Sequence, residues 1–184
     1  MKDLFGNTEE SMRALSWKQP YAGLMLPPFN KIETRTWNTK YRGLVLICAS
    51  QKAYGIDSVL NISGEKQLCR IINMASELSK GYSKDGHAIA VGRLVNCRPM
   101  KKEDEDKCFV EYREPWIVTS AKTGKQRLVK LYCHEYENVR AIEPIPFKGA
   151  QGWSEVCPGD FIQCDICHGK GGYHVCTNNS PQKL

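Results

Sequence analysis

Residues 43–50 read GLVLICAS, an apolar, β-prone run without a single charge. Such a run offers water no polar face, so it reads as a buried strand and requires a core around it. The neighbouring patterns supply that core. Residues 87–97, HAIAVGRLVNC, read as another strand. In residues 31–37, KIETRTW, Ile32 and Thr34 alternate with Glu33 and Arg35 at the period of a half-buried strand. Residues 64–80 instead place Leu68, Ile71, Ile72, Ala75 and Leu78 on one helical stripe, with Ser63 as a cap and Gly81 beyond the end. A short helix is expected after Pro20, where Tyr21, Leu24 and Met25 share a face and Pro27-Pro28 ends the run.

Further strands are expected at 109–118, 126–136, 138–147 and 161–164, the prolines of the third marking an edge or exit. Residues 101–107, KKEDEDK, read as a solvated loop or helix start. One long helix, a short one and about six strands make an α+β domain, expected to close as a small β-barrel with packed helices. A chain of 184 residues suits one such domain over 13–164, after a loose lead at 1–12 and before a Cys/His-rich tail at 164–184. No apolar run approaches the roughly 20 residues of a membrane helix, and the first residues lack a secretory core. A cytoplasmic protein with no membrane partner is expected. Its nine cysteines, an odd number, fit reduced thiols and a metal site better than a disulfide framework.

The net charge of +6 is concentrated. Residues 13–54 hold seven cations against one anion, Glu33, and so account for all of it. Trp17, Tyr21, Phe29, Trp37, Tyr41 and Tyr54 are interleaved with them. Cations attract phosphates and aromatic faces stack on unpaired bases, so this is the composition of a nucleic-acid groove. The alternative is a solvated basic surface over core aromatics. There is no G-x-G-x-x-G, no P-loop and no internal repeat.

The stretch LSWKQPYAGLML, KIETRTWNTKYRGLVLICAS, GHAIAVGRLVNCRPM and ENVRAIEPIPFKGAQGWSEV resembles the ASCH (activating-signal-cointegrator homology) family of the PUA-like superfamily, in its microbial and phage-type form. The resemblance spans roughly residues 13–164. It implies a PUA-like barrel with a cleft beside the first helix, and RNA-related roles. The family hallmark is G-x-K-x-x-E-x-R. Glu33 and Arg35 match it, while Pro28 replaces the glycine, Asn30 replaces the lysine, and Lys31 stands one position late. The resemblance implies an RNA- or nucleotide-binding cleft using Trp17, Lys18, Arg35, Trp37 and Arg42. In an enzyme of this kind, a small hydrolase deacylating a modified nucleoside or cleaving RNA, the catalytic candidates are Lys31 or Lys18, together with Glu33. A one-residue slip on a strand turns a side chain to the other face, so Lys31 serves only where a bulge or loop absorbs the offset.

The tail carries a separate pattern. Cys164, Cys167 and Cys176, with His174 or His168 as fourth ligand and Cys157 as a substitute, form one C-x-x-C with further donors, an irregular knuckle that could complete a structural zinc site. Free thiols are the alternative, and a non-catalytic adaptor using the tail is a third functional reading. C-D-I-C-H also matches haem attachment, chemistry that requires export. Cys48, Cys69, Cys97, Cys108 and Cys133 read as buried apolar residues, and His87 and His134 as structural.

Overall fold

The computed structural model describes residues 12–78, 84–120, 123–149 and 152–156, together with the backbone of 176–177 and 180–181. The fold is mixed α+β. Its centre is a six-stranded sheet in the order β2-β7-β4-β3-β1-β8. These strands are β1 (Met12–Trp17), β2 (Ile32–Arg35), β3 (Gly43–Ala49), β4 (His87–Pro99), β7 (Tyr132–Pro146) and β8 (Ser154–Val156). Only β1 and β3 run parallel; the other neighbours are antiparallel. The apolar run expected as a buried strand is β3, fully buried from Val45 to Ala49. Alternation divides it between two cores, with Val45 and Ile47 in one and Leu46 and Cys48 in the other. Cys48, Cys108 and Cys133 are buried as expected, whereas Cys69 is exposed.

The proline-bearing segment 138–147 is the edge and exit expected of it. It forms the second half of β7, which pairs with β4 on one side, while β2 pairs only with Tyr132–Glu135, and its prolines fall at the end of the strand. Its ladder with β4 shifts register three times. These irregularities bend the sheet and sharpen its twist.

The expected closed barrel is not formed. The sheet ends in β2 on one side and β8 on the other, and no ladder joins them among the described residues. Both edge strands are short, four and three residues, and side chains occupy the seam in place of backbone bonds. Arg35 Nη2 donates to the Ser16 carbonyl across it at 3.0 Å. The Trp37 and Trp153 rings meet edge-on there, their centroids 5.6 Å apart.

Helix α1 (Tyr21–Leu24) is the short helix expected after Pro20. Ala22, Met25 and Leu26 in and after it cover the first sheet core, while Tyr21 and Leu24 face a second core under α2. Helix α2 (Ile56–Leu78) starts earlier than its stripe suggests and is broken at Gly64. There φ is +69°, a region that favours glycine, and a Cβ would come within 2.9 Å of Glu111 Oε2. Ser63 does not cap the helix. Its hydroxyl lies 2.7 Å from the Tyr21 hydroxyl and donates to the Phe109 carbonyl at 2.6 Å, tying α2 to its neighbours.

The segment KKEDEDK forms a short 3-10 turn, Lys102–Asp104, and then α3 (Glu105–Cys108). It is not wholly solvated, because Asp104 is completely buried against Arg98. Beyond it, β5 (Trp116–Thr119) and β6 (Gln126–Val129) pair as a separate hairpin. Two-residue strands β9 (Cys176–Thr177) and β10 (Ser180–Pro181) pair with each other. No helix among the described residues is long and apolar enough to cross a membrane.

Candidate functional site

A half-open cavity of about 780 Å³ lies where the unpaired seam meets α1, α2 and the hairpin. Trp17 and Lys18 at the end of β1 line it, with Glu33–Trp37 from β2 and just beyond, Tyr21 and Tyr54 nearby, and Arg113, Trp116 and Arg127 from around the hairpin. Because the barrel is not closed by hydrogen bonds, the ends of β1 and β2 are free to face this space.

Alternation along β2 puts Glu33 and Arg35 on one face, and their separation is 3.5 Å between Arg35 Nε and Glu33 Oε1. The Arg35 guanidinium lies 5.1 Å from the centroid of the Trp17 ring, a cation–π contact. Trp17 is buried, and its other side meets Tyr136 edge-on at 6.2 Å. Two donors at this spot, Trp17 Nε1 and Arg35 Nε, are buried without a hydrogen bond of normal geometry. Both lie against the Glu33 carboxyl, the acceptor that the fold sets beside them.

Burial drives the Glu33 carboxyl up to about 7, although the Arg35 charge and the nearby Trp17 N–H both favour its ionised form. Desolvation wins because the carboxyl is largely shut off from water while Arg35 offers only one oblique contact. The folded state therefore holds this proton more tightly than the unfolded chain does. Glu33 is neutral in both states below about pH 4, and its ionisation works against the fold as pH rises towards and past 7. His134, opposite Glu33 in the β2–β7 ladder, acts with the opposite sign, since burial lowers it to about 4. Comparing Glu33→Gln with the wild type cancels that background. The urea midpoint of Glu33→Gln is expected to exceed the wild type at pH 8 and to converge on it near pH 4. A pH-independent difference would refute the assignment.

Trp37 caps the seam with Trp153 and stands edge-on to His134, their centroids 4.8 Å apart. His134 is buried and its Nε2 meets the Trp37 carbonyl at 3.2 Å, a structural role as expected. Lys18 is exposed, its Nζ 4.7 Å from the centroid of the Tyr54 ring.

Of the residues singled out in the sequence, Trp17, Lys18, Glu33, Arg35 and Trp37 come together on the cavity. Two others lie elsewhere. Arg42 is exposed, and its guanidinium donates to the carbonyls of Thr39 and Tyr41. Lys31 is also exposed and does not line the cavity. Asn30, at the hallmark lysine position, is buried. Its Oδ1 accepts from the backbone N–H of Lys31 and Ile32, and its Nδ2 donates to the Ile32 carbonyl, so it shapes the turn into β2. The chain thus carries a turn-forming amide at that position, and the next residue's amine points elsewhere.

Arg113, Trp116, Arg127 and Asn61 also line the cavity, and sequence reasoning did not find them. A signal existed for three of them. Residues 113–130 hold five cations against one anion, an excess hidden when charge is averaged over everything outside 13–54.

Among the described residues no group of three His, Cys, Asp or Glu side chains could hold a metal ion. The expected zinc ligands Cys164, Cys167 and His174 lie outside the described residues, and of Cys176 only the backbone is described. The sequence matches no protein-family model, and it matches no curated protein.

Proposed function

We propose that this protein binds single-stranded RNA or a nucleotide in the seam cavity, as an ASCH-like, PUA-like module. One observation carries the reading: Lys18, Arg35, Arg113 and Arg127 converge with Trp17, Trp37, Tyr54 and Trp116 on one cavity whose only anion among the lining residues is Glu33. The cations answer phosphate charge without regard to sequence, and the half-buried Trp37 and Tyr54 rings answer unstacked bases. The volume lies within the roughly 300–1,000 Å³ typical of small-ligand sites. A curled sheet whose seam is bridged by side chains is also compatible with a PUA-like lineage. Three or four phosphate contacts predict that the logarithm of affinity falls with the logarithm of salt concentration at a slope of about −2 to −3. Fluorescence anisotropy with labelled single-stranded RNA from 50 to 300 mM salt measures this, and binding that is absent or insensitive to salt would refute the proposal.

A second reading, a small hydrolase acting on a modified nucleoside, draws support from Glu33 alone. A cavity carboxyl poised near pH 7 suits general acid–base work. Lys31 adds no support, being exposed and away from the cavity. The tail cysteines remain our candidates for a structural zinc site on the strength of their spacing.

A further inference from the structure

We propose that the β5–β6 hairpin is a second jaw of the cavity, holding the phosphate backbone of a single-stranded polynucleotide several nucleotides long. This rests on the nucleic-acid reading above and narrows its substrate class from any nucleotide to an extended strand.

The hairpin is hydrogen-bonded to no strand of the six-stranded sheet. Its register pairs Trp116 with Val129, Ile117 with Leu128, and Val118 with Arg127. Trp116, Val118, Arg127 and Val129 therefore share one face. Trp116 is buried in the second core, and Val118 and Val129 pack against it. Arg127 stays exposed, reaches the cavity, and makes no ion pair or hydrogen bond among the described residues. A cation on the core-facing side of a hairpin, with no partner among the described residues, is available for a ligand. Arg113 stands beside it over the Trp116 ring, 4.9 Å from the centroid, with Glu111 as its counter-ion. On the opposite face Ile117 and Leu128, directly paired, are 56% and 67% exposed. The hairpin thus brings the Arg127 charge to the cavity beside the Arg113–Trp116 stack, a cation set next to an aromatic ring.

The choice of ligand follows from how the charge is distributed. Lys18 and Arg35 line the cavity from the ends of β1 and β2, Lys18 over the half-buried Tyr54 ring and Arg35 over the buried Trp17 ring. Arg113 and Arg127 come from a separate part of the chain, and a ligand that carries successive phosphates engages both sets of cations at once. A duplex has such phosphates, but keeps its bases stacked and away from Trp37 and Tyr54. A single strand satisfies both requirements.

The test compares a labelled mixed-sequence RNA octamer, a duplex of the same length, and competition by nucleoside monophosphates. Wild type is set against the double variant Lys125→Ala/Arg127→Ala, whose positions are exposed and whose substitution leaves the core intact. Octamer affinity is expected to fall about tenfold more than monophosphate affinity, with a salt slope shallower by about 1. Equal losses for both ligands, no loss for the octamer, or a duplex bound as tightly as the single strand would overturn the jaw and leave the cavity reading standing. If wild type binds neither octamer nor monophosphate, the cavity reading itself fails and the jaw falls with it.

Discussion

Arg98→Met is expected to lower the stability of the fold by about 3 kcal/mol, because it leaves Asp104 as a buried anion without a counter-charge. Asp104 is completely buried, yet it sits in a turn of highly charged sequence. Arg98 makes this tolerable with two parallel bonds, Nη1 to Oδ2 at 2.6 Å and Nη2 to Oδ1 at 2.8 Å. The Lys101 backbone N–H donates to the same carboxylate at 2.9 Å. The third guanidinium nitrogen, Nε, reaches Glu135 on β7 at 2.7 Å. One side chain therefore joins β4, β7 and the 3-10 turn. Since β7 is the partner of β2, it also steadies the strand that carries Glu33 and Arg35.

Asp104→Asn should cost less, since Arg98 keeps Glu135 and part of its side chain remains in water. The pH dependence provides a second check. Hydrogen bonds from Arg98 hold the Asp104 carboxyl down to about 2, against its ordinary value of 3.8. Its contribution is complete above pH 4 and lost as pH falls through 2. Urea unfolding of both variants at pH 7 and of wild type at pH 2–5 tests the ordering. Equal losses for Arg98→Met and Asp104→Asn would contradict it.

Arg35→Ala is expected to weaken single-stranded RNA binding by about 10- to 100-fold, the range a charge-assisted hydrogen bond of about 1.5–3 kcal/mol supports. Arg35 has three interactions at once: it bridges the seam to Ser16, stacks on Trp17 and faces Glu33. Arg35→Lys keeps the charge but not the planar fork, and should recover only part of the affinity. The same substitution to Ala removes the cation that favours ionised Glu33, so its carboxyl should titrate still higher. Binding isotherms collected from pH 5.5 to 8.5 would show that shift as a displaced midpoint. Wild-type affinity in Arg35→Ala, with the fold intact by circular dichroism, would remove Arg35 from the site.

Much of this was legible in the sequence where it depends on short-range pattern. The charge-free run at 43–50 has no stable alternative to burial, and it is β3. The alternation in KIETRTW places Glu33 and Arg35 on one face wherever the strand goes. Clustered cations and aromatics single out residues 13–54, and five of the seven candidate ligand-facing or catalytic residues named there line one cavity.

What lay beyond the sequence depends on partners distant along the chain. Whether the sheet closes is decided by how β2 and β8 approach, and there indole rings and Arg35 take the place of backbone pairing. Burial of Asp104 could not be read from KKEDEDK, because local charge density argues for water and only the guanidinium of Arg98 reverses that balance. Ser63 looked like a cap until Tyr21 and Phe109 claimed its hydroxyl. The hairpin cations join the site only because Trp116 anchors their strand pair to the second core. Periodicity and charge are properties of neighbouring residues, so the chain alone determined the strands at β3 and β4, the faces of β2 and the chemistry of one wall, but not the bounds of the strands between 109 and 147. Desolvation and closure are properties of what folds against that wall, so only the tertiary structure decided the raised Glu33 carboxyl, the open seam and the second set of cations.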